Sequence, residues 1–305
     1  MYDLIVIGGG PAGLGAAMYA GRYRMKTLVV SPDEGGTVTK GHVIENYLGF
    51  KSIPGLDLAK KMVEHTKNHE TVEWFNGAVR KIEKREDGFV VHSGDKIFES
   101  KTIFLGMGMQ HKNLGVKGEE EFVGKGVSYC YNCDAPLFRG KTVAVIGGGD
   151  SAINGAALLS EYAEKVYLLV RSEIKAEPVN AERVKNNPKV EIIFGEEVDG
   201  LVGGDFLEGV KLKSGKELKV DGLFVEIGYV PSVELIKELE INVNKWGFIE
   251  VNDNRETSVR GVFAGGDIIA QNTIKQVIAA VADGSIAGIA VYKFITTKHE
   301  GGKLR

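Results

Sequence analysis

The chain has 305 residues, is 43% hydrophobic and 26% charged, and carries a net charge of -3. Its length is enough for two domains with cores of their own, and its slight negative balance gives no electrostatic case for a nucleic-acid partner. No apolar stretch approaches the roughly 20 residues of a membrane span, so the expected setting is cytoplasmic, without a membrane partner.

The chain opens with YDLIVIGGGPAGLGAAMYAGRYRMKTLVVS. With no basic lead and no cleavage-like site, this start reads as a strand rather than a signal peptide. The strand runs into Gly8-x-Gly10-x-x-Gly13, then a helix of small residues, then a second strand. In a dinucleotide fingerprint the first glycine permits a tight turn and the second lets backbone approach a pyrophosphate. The third lets helix and strand pack closely. The helix N-terminus offers free N–H groups and a positive dipole end to phosphates. Further on, His65 and His69 stand at i, i+4 in a charged segment. That spacing alone does not make a metal site, and none is expected. From Thr71 to Leu105 the pattern alternates in period two between glycine turns and reads as a β-meander of the first domain.

SYCYNCDAPLF, residues 128–138, holds both cysteines of the chain, Cys130 and Cys133, with Asp134 directly behind. Structural disulfides are rare in the cytosol. A structural zinc site wants about four N or S ligands, and no histidine follows at finger spacing. What remains is a CxxC redox pair, which needs a source of electrons.

A second fingerprint follows in KTVAVIGGGDSAINGAALLSEYAEKVYLLVRSE, where Gly147-x-Gly149-x-x-Ala152 again leaves an apolar strand and opens a helix. Alanine is allowed at the third position. Two nucleotide sites in one chain suggest electron transfer between two cofactors, one mobile and one held. The chain closes with the strand GVFAGGD and a long amphipathic helix from about Asn272.

Together these residues resemble the low-molecular-weight thioredoxin reductases, nearly end to end and in family order. GGGPAG, GGTVTKGHVIENYLGF, CYNCD, GGGDSA, GGDI and KQVIAAVADG each match a family motif. CxxCD placed just before the second fingerprint is the most specific of them. The resemblance implies an α/β fold of two dinucleotide-binding, Rossmann-like domains, each a three-layer ββα arrangement, with the second inserted in the first. Residues 1–114 and 245–305 would hold FAD, and residues 115–244 would hold NAD(P)H and carry the CxxC. FAD contacts are implied at Gly8, Gly10, Pro11, Ala12 and Gly13, at Gly35, Gly36, Thr37 and Asn46, and at Gly108. Others are implied at Gly266, Asp267, Lys275, Gln276 and Val277. NAD(P)H contacts are implied at Gly147, Gly149, Asp150, Ser151, Ala152, Arg171 and Lys175.

The implied activity is that of a thioredoxin-disulfide reductase. Electrons would pass from NADPH, or NADH, through FAD and the Cys130–Cys133 disulfide to a thioredoxin or glutaredoxin-like protein. Cys133 would face the flavin and Cys130 the partner. Asp134 is either a proton donor to the departing thiolate or a helix-cap carboxylate. The resemblance also implies a homodimer and a rotating inserted domain, with hinges near Leu114–Gly118 and Asn242–Gly247. Departures bear on the coenzyme. Only Arg171 survives of a paired basic signature, with Ser172 in the second place and Lys175 nearby, and no acidic residue closes that strand. A ferredoxin-fed reductase or a dithiol oxidase on the same frame is the alternative. Ser31 stands where many flavoproteins have Glu, and Asp33 and Glu34 follow without a sequence criterion to choose between them. Tyr131 and Asn132 are bulkier than the usual pair, which implies an altered choice of partner.

Overall fold

A computed structural model describes residues 1–40, 43–231, 234–272 and 274–299. Gly41 and His42, inside the segment expected to contact a flavin, lie outside the described residues. The chain divides into two compact units, Met1–Gln110 with Pro231–Arg305, and His111–Val230. The crossings therefore fall at 110/111 and 230/231, not at the expected 114/115 and 244/245. The reason is burial: Ile236, Leu239 and Ile241 share one core cluster with Ile5, Ile7 and Leu28 of the first unit. The stretches expected as hinges, Leu114–Gly118 and Asn242–Gly247, each lie within a unit. Glu119 pins Leu114 and Gly115 inside the second unit by accepting both backbone N–H groups at 2.7 Å. Asn244 closes a tight turn by accepting from Gly247 at its backbone carbonyl. The crossing strands Met109–His111 and Tyr229–Pro231 pair with each other instead.

In the first unit the strands Tyr2–Ile7, Thr27–Ser31, Val72–Asn76 and Lys96–Leu105 run parallel, with Tyr2–Ile7 flanked by Thr27–Ser31 and Lys96–Leu105. Val79–Arg85, Gly88–Ser93 and the first half of Lys96–Leu105 form an antiparallel meander, and Val262–Ala264 pairs with the second half. The expected meander is thus shorter at its start, because Val72–Asn76 joins the parallel sheet. Side chains alternate across that sheet. Leu4, Val6 and Val29 pack with the helices, while Ile5, Ile7, Leu28 and Val30 pack with the meander and the returning C-terminal segment. Strands buried on both faces read as unbroken apolar runs, which is why YDLIVI and TLVVS look alike in sequence.

The helix face explains the small residues. Helix Pro11–Arg22 lies against the C-terminal helix Val277–His299 through glycines on both. A Cβ at Gly284 would stand 1.9 Å from the Ala12 carbonyl oxygen, and one at Gly15 would stand 2.6 Å from that of Val281. Overpacking of that kind typically costs about 1–3 kcal/mol and here meets backbone, which cannot swing aside. The C-terminal helix also corrects two expectations. It begins at Val277 rather than Asn272, since Lys275 holds a left-handed φ of 52°. Over 277–297 it is long and apolar enough by composition to match a membrane span, yet Ala280, Ala287, Ala290 and Val291 are buried in a core cluster with helix Pro11–Arg22.

The second unit repeats the plan. Parallel strands run in the order Val127–Ser128, Gly222–Val225, Thr142–Ile146, Lys165–Val170, Val190–Phe194. Val143, Val145 and Leu168 face the helix Asp150–Tyr162, and Ala144, Ile146 and Leu169 face an antiparallel three-stranded sheet spanning 198–219. Both units are the three-layer α/β arrangement expected from the sequence.

Candidate functional site

The first unit contains a cavity of about 920 Å³ where the parallel strands end. Strand Tyr2–Ile7 has neighbours on both sides whose connections leave in opposite directions, the switch point at which open α/β sheets bind ligands. Gly8, Gly10, Pro11, Ala12, Gly36, Thr37, Asn46 and Gly108 line it, as do Gly266, Asp267, Lys275, Gln276 and Val277. These are most of the predicted cofactor contacts, gathered from four separate stretches of chain.

The glycines divide by cause. Gly8 has φ of 106°, and a Cβ there would lie 2.4 Å from the Gly106 carbonyl oxygen; at Gly13 it would lie 1.9 Å from that of Gly8. The fold itself requires both, and Gly13 does not line the cavity. Gly35 is of the same kind, with φ of 100° and the Ala59 Cβ 2.6 Å away. Gly10 differs. It has ordinary extended backbone at φ -81°, and a Cβ there would meet nothing nearer than the Gly36 Cα at 3.8 Å. Protein packing does not explain a glycine at position 10, whereas a ligand passing close over the backbone does. No side chain caps the helix that begins there, so its N-terminus is open to an anion. A dinucleotide fits this cradle.

Side chains complete the wall. Asn46 donates to the Gln276 side-chain carbonyl at 3.0 Å. Lys275 donates from Nζ to the carbonyls of Asp267 at 2.6 Å and Ile269 at 3.2 Å, and its ammonium lies over the Phe248 ring. Burial raises the Asp267 carboxyl above its usual range and lowers the Lys275 ammonium. Of the two acidic candidates, Asp33 lines the cavity, as does Ser31 before it, and Glu34 does not. Asp33 also accepts the Gly36 N–H at 3.2 Å, while Glu34 pairs with Lys67.

In the second unit Cys130 and Cys133 form a disulfide, with Cα atoms 5.3 Å apart. Strand Val127–Ser128 delivers them at the carboxyl edge of the sheet, and Ser128 Oγ accepts the Cys130 N–H at 3.0 Å. Cys130 caps the single helical turn Tyr131–Asp134. Ala135 and Phe138 anchor the next turn in the core, Phe138 edge-on to Phe224. Cys130 is half-buried and Cys133 exposed. Asp134 makes no capping hydrogen bond, which removes the contact that a cap role requires. Tyr131 turns inward: its ring packs where a Cβ on Gly155 would stand 3.0 Å from it. This tyrosine therefore mounts the CxxC turn on the helix of the second fingerprint.

That fingerprint repeats the division among glycines. Gly147 has φ of 138°, with the Glu226 carbonyl oxygen 2.2 Å from an added Cβ, whereas Gly149 has φ of -89° and nothing within 4 Å. Ala152 is fully buried, so its methyl packs where the first unit has Gly13. Asp150 accepts the Glu177 N–H at 2.9 Å, and Ser151 donates to Glu226. Arg171 and Lys175 are exposed beyond the end of strand Lys165–Val170, with Lys175 3.5 Å from Glu173. A dinucleotide-type fingerprint, an exposed-edge disulfide and a large cradle at a second fingerprint now stand in one chain. The pyridine nucleotide-disulphide oxidoreductase profile matches residues 2–284.

The chain belongs to the pyridine nucleotide-disulphide oxidoreductase family.

This oxidoreductase is 38% identical over 309 residues to a 34.2 kDa protein in the rubredoxin operon of Clostridium pasteurianum, covering 99% of this chain and 98% of the relative. It is 36% identical over 308 residues to the thioredoxin reductase of Bacillus subtilis, covering 98% and 96%. The solved thioredoxin reductase of Lactococcus lactis superposes with a TM-score of 0.93 at 34% identity, over 97% of this chain and 100% of that one. The resemblance read from the motifs is met along the whole length, and the family's use of a flavin and a pyridine nucleotide comes with it.

The oxidoreductase holds two features that the sequence reading passed over. Asp283, 5% exposed, accepts from Arg255 Nε at 2.8 Å, from the Gly266 N–H at 3.1 Å and from Asn272 at 3.2 Å. This clamp fixes the GGD turn against the cavity, and its one sequence signal is an acid inside the apolar run VIAAVADGSIAG. The other feature is Glu226, likewise 5% exposed.

Proposed function

We propose that this chain is a thioredoxin-disulfide reductase that carries electrons from NADPH, through FAD in the first unit, to the Cys130–Cys133 disulfide and on to a thioredoxin-like protein. The observation that carries the reading is the mounting of Tyr131 against Gly155, which seats a disulfide on the helix of a nucleotide fingerprint. A structural staple has no use for that placement. The open Gly10 and Gly149 support the two nucleotide assignments.

Bound FAD supplies two-electron transfer between a nicotinamide and a disulfide. The chain's own part is thiol chemistry. Two electrons and two protons open the Cys130–Cys133 bond. One thiolate then attacks a partner disulfide and forms a mixed disulfide, and the second thiolate displaces the reduced partner and restores the original bond. The Cys133 N–H, 3.3 Å from Cys130 Sγ, stabilises negative charge on that sulfur. Asp134, which makes no capping hydrogen bond, is assigned the proton that a departing thiolate takes up. The family resemblance gives Cys130 the partner-facing role, while exposure favours Cys133; trapping of the mixed disulfide decides between them. Arg171, exposed beyond the end of its strand, is the residue assigned to the 2′-phosphate of NADPH, since a guanidinium binds phosphate bidentately. A homodimer in the cytoplasm, without membrane or nucleic-acid partners, accords with the resemblance and with cysteines used as a working couple.

The test follows NADPH consumption by the FAD-loaded protein with oxidised thioredoxin. Turnover that depends on thioredoxin and vanishes in Cys130→Ser and Cys133→Ser is expected. Flavin reduction that never passes to any thioredoxin or glutaredoxin-like protein sinks the proposal.

A further inference from the structure

The two units are built alike at their ligand ends, and one residue breaks the likeness. In the first unit the Gly106 N–H donates to the Ile7 carbonyl at 2.8 Å, and the Gly106 carbonyl faces Gly8. In the second, the Glu226 N–H donates to the Ile146 carbonyl at 2.9 Å, and the Glu226 carbonyl faces Gly147. Leu105 pairs with Ile7 just as Val225 pairs with Ile146. Gly106 and Glu226 are therefore equivalent positions, each the first residue beyond the strand at the switch point. Gly106 lines the nucleotide cradle of its unit with no side chain at all. Glu226 carries a carboxyl at the corresponding backbone position, against Ser151 of the fingerprint helix.

That carboxyl is 5% exposed. Ser151 of the fingerprint helix donates to one oxygen, and the other, Oε1, is buried without a hydrogen-bond partner. Tyr131 of the CxxC turn is close enough to feel the Glu226 charge. The Tyr131 phenol is pushed up to about 12, chiefly by burial and then by Glu226, so it stays neutral at working pH. No ion pair to Glu226 occurs among the described residues. A buried carboxyl with an unpaired oxygen is costly to ionise, and an anion bound at the same helix N-terminus makes it costlier.

We propose that Glu226 is a specificity residue of the second nucleotide site, and that it binds a dinucleotide diphosphate only as the neutral acid, so that binding takes up a proton. This rests on the reading that the second fingerprint receives a pyridine nucleotide. The neutral acid sets no charge against an anionic ligand, whereas the carboxylate places a poorly compensated negative charge behind the fingerprint helix that receives the same anion. Burial raises the free group to about 7, so both forms are populated near neutrality. By linkage, affinity falls by up to about tenfold per pH unit above that titration and is flat below it.

The experiment uses the FAD-loaded protein, whose first site is filled, and ADP-ribose, which carries the diphosphate but neither a nicotinamide nor a 2′-phosphate. Calorimetric titrations from about pH 6 to about pH 9, each in buffers of different ionisation enthalpy, give Kd and the protons taken up. The expected result is uptake approaching one proton above neutrality with a rising Kd, and a flat Kd without uptake in Glu226→Gln. Glu226→Ala, which restores the small residue of the first unit, gives the same answer by a second route. A wild-type Kd that is independent of pH with no proton uptake, or an unchanged profile in both variants, overturns the assignment of Glu226 alone. Absence of ADP-ribose binding in every form at every pH overturns that assignment together with the nucleotide reading of the second unit.

Discussion

Gly10→Val separates what the fold needs from what the ligand needs. The backbone at position 10 is extended, which a β-branched residue adopts without strain, and the nearest atom to an added Cβ is 3.8 Å away. Loss of unfolded-state freedom favours valine by about 0.4–1 kcal/mol. Glycine's preference over valine at an N-cap opposes it by a similar amount, roughly 0.5–1 kcal/mol. The stability of the flavin-free protein should therefore change by less than about 1 kcal/mol. Binding is another matter. A side chain over the helix N-terminus holds a pyrophosphate off two backbone N–H groups, each worth roughly 1.5–3 kcal/mol toward a charged acceptor. Loss of both raises the Kd for FAD by roughly 10²- to 10⁴-fold. The assay is visible flavin absorbance per chain after gel filtration, with thermal unfolding of the flavin-free form recorded beside it. Gly13→Ala is the control, because its methyl would meet the Gly8 carbonyl at 1.9 Å and should cost stability directly. A Gly10→Val protein that stays stoichiometrically yellow, or whose flavin-free form melts as early as Gly13→Ala, would refute the reasoning.

Both cysteine variants should still have their flavin reduced by the coenzyme and should lose disulfide reductase activity. The one that keeps the partner-facing thiol should appear on non-reducing gels as a stable mixed disulfide with thioredoxin, and the other should show a long-wavelength charge-transfer shoulder that acid removes. Arg171→Ala should raise KM for NADPH roughly 10- to 100-fold more than KM for NADH, because a charge-assisted contact worth about 1.5–3 kcal/mol is lost only with the former; equal effects would deny the residue its phosphate. Glu226→Gln should stabilise the protein at alkaline pH. A carboxyl raised from 4.5 to about 7 by burial stabilises the fold below its unfolded value and forfeits that as pH rises through 7. The gain approaches about 3 kcal/mol above neutrality and fades near pH 5, read as a shift in melting temperature of a few degrees; a shift that does not vary with pH would contradict it.

Local patterns carried far in the sequence. Gly8-x-Gly10-x-x-Gly13 and Gly147-x-Gly149-x-x-Ala152 announced both switch points because each turn is encoded within a few residues of the strand that feeds it. Cys130 and Cys133 were legible as a couple through elimination. What escaped notice is set by distant partners. Residues 234–244 belong to the first unit because Ile236, Leu239 and Ile241 find Ile5 and Leu28 there. The helix begins at Val277 rather than Asn272 because Lys275 reaches back to Asp267 and Ile269. Asp283 and Glu226 look like ordinary acids until Arg255 and Ser151 are seen beside them. Tyr131 reads as a surface feature between two cysteines until Gly155 shows the space that receives it.

The central claim is a path from nicotinamide to flavin to disulfide, and an anaerobic titration of the FAD-loaded protein with NADPH, and separately NADH, tests it most directly. The flavin should bleach in both the wild type and Cys133→Ser, with the wild type consuming one further hydride equivalent per chain to open the Cys130–Cys133 bond. A flavin that dithionite bleaches but neither coenzyme does, or equal consumption by the two proteins, would contradict the account.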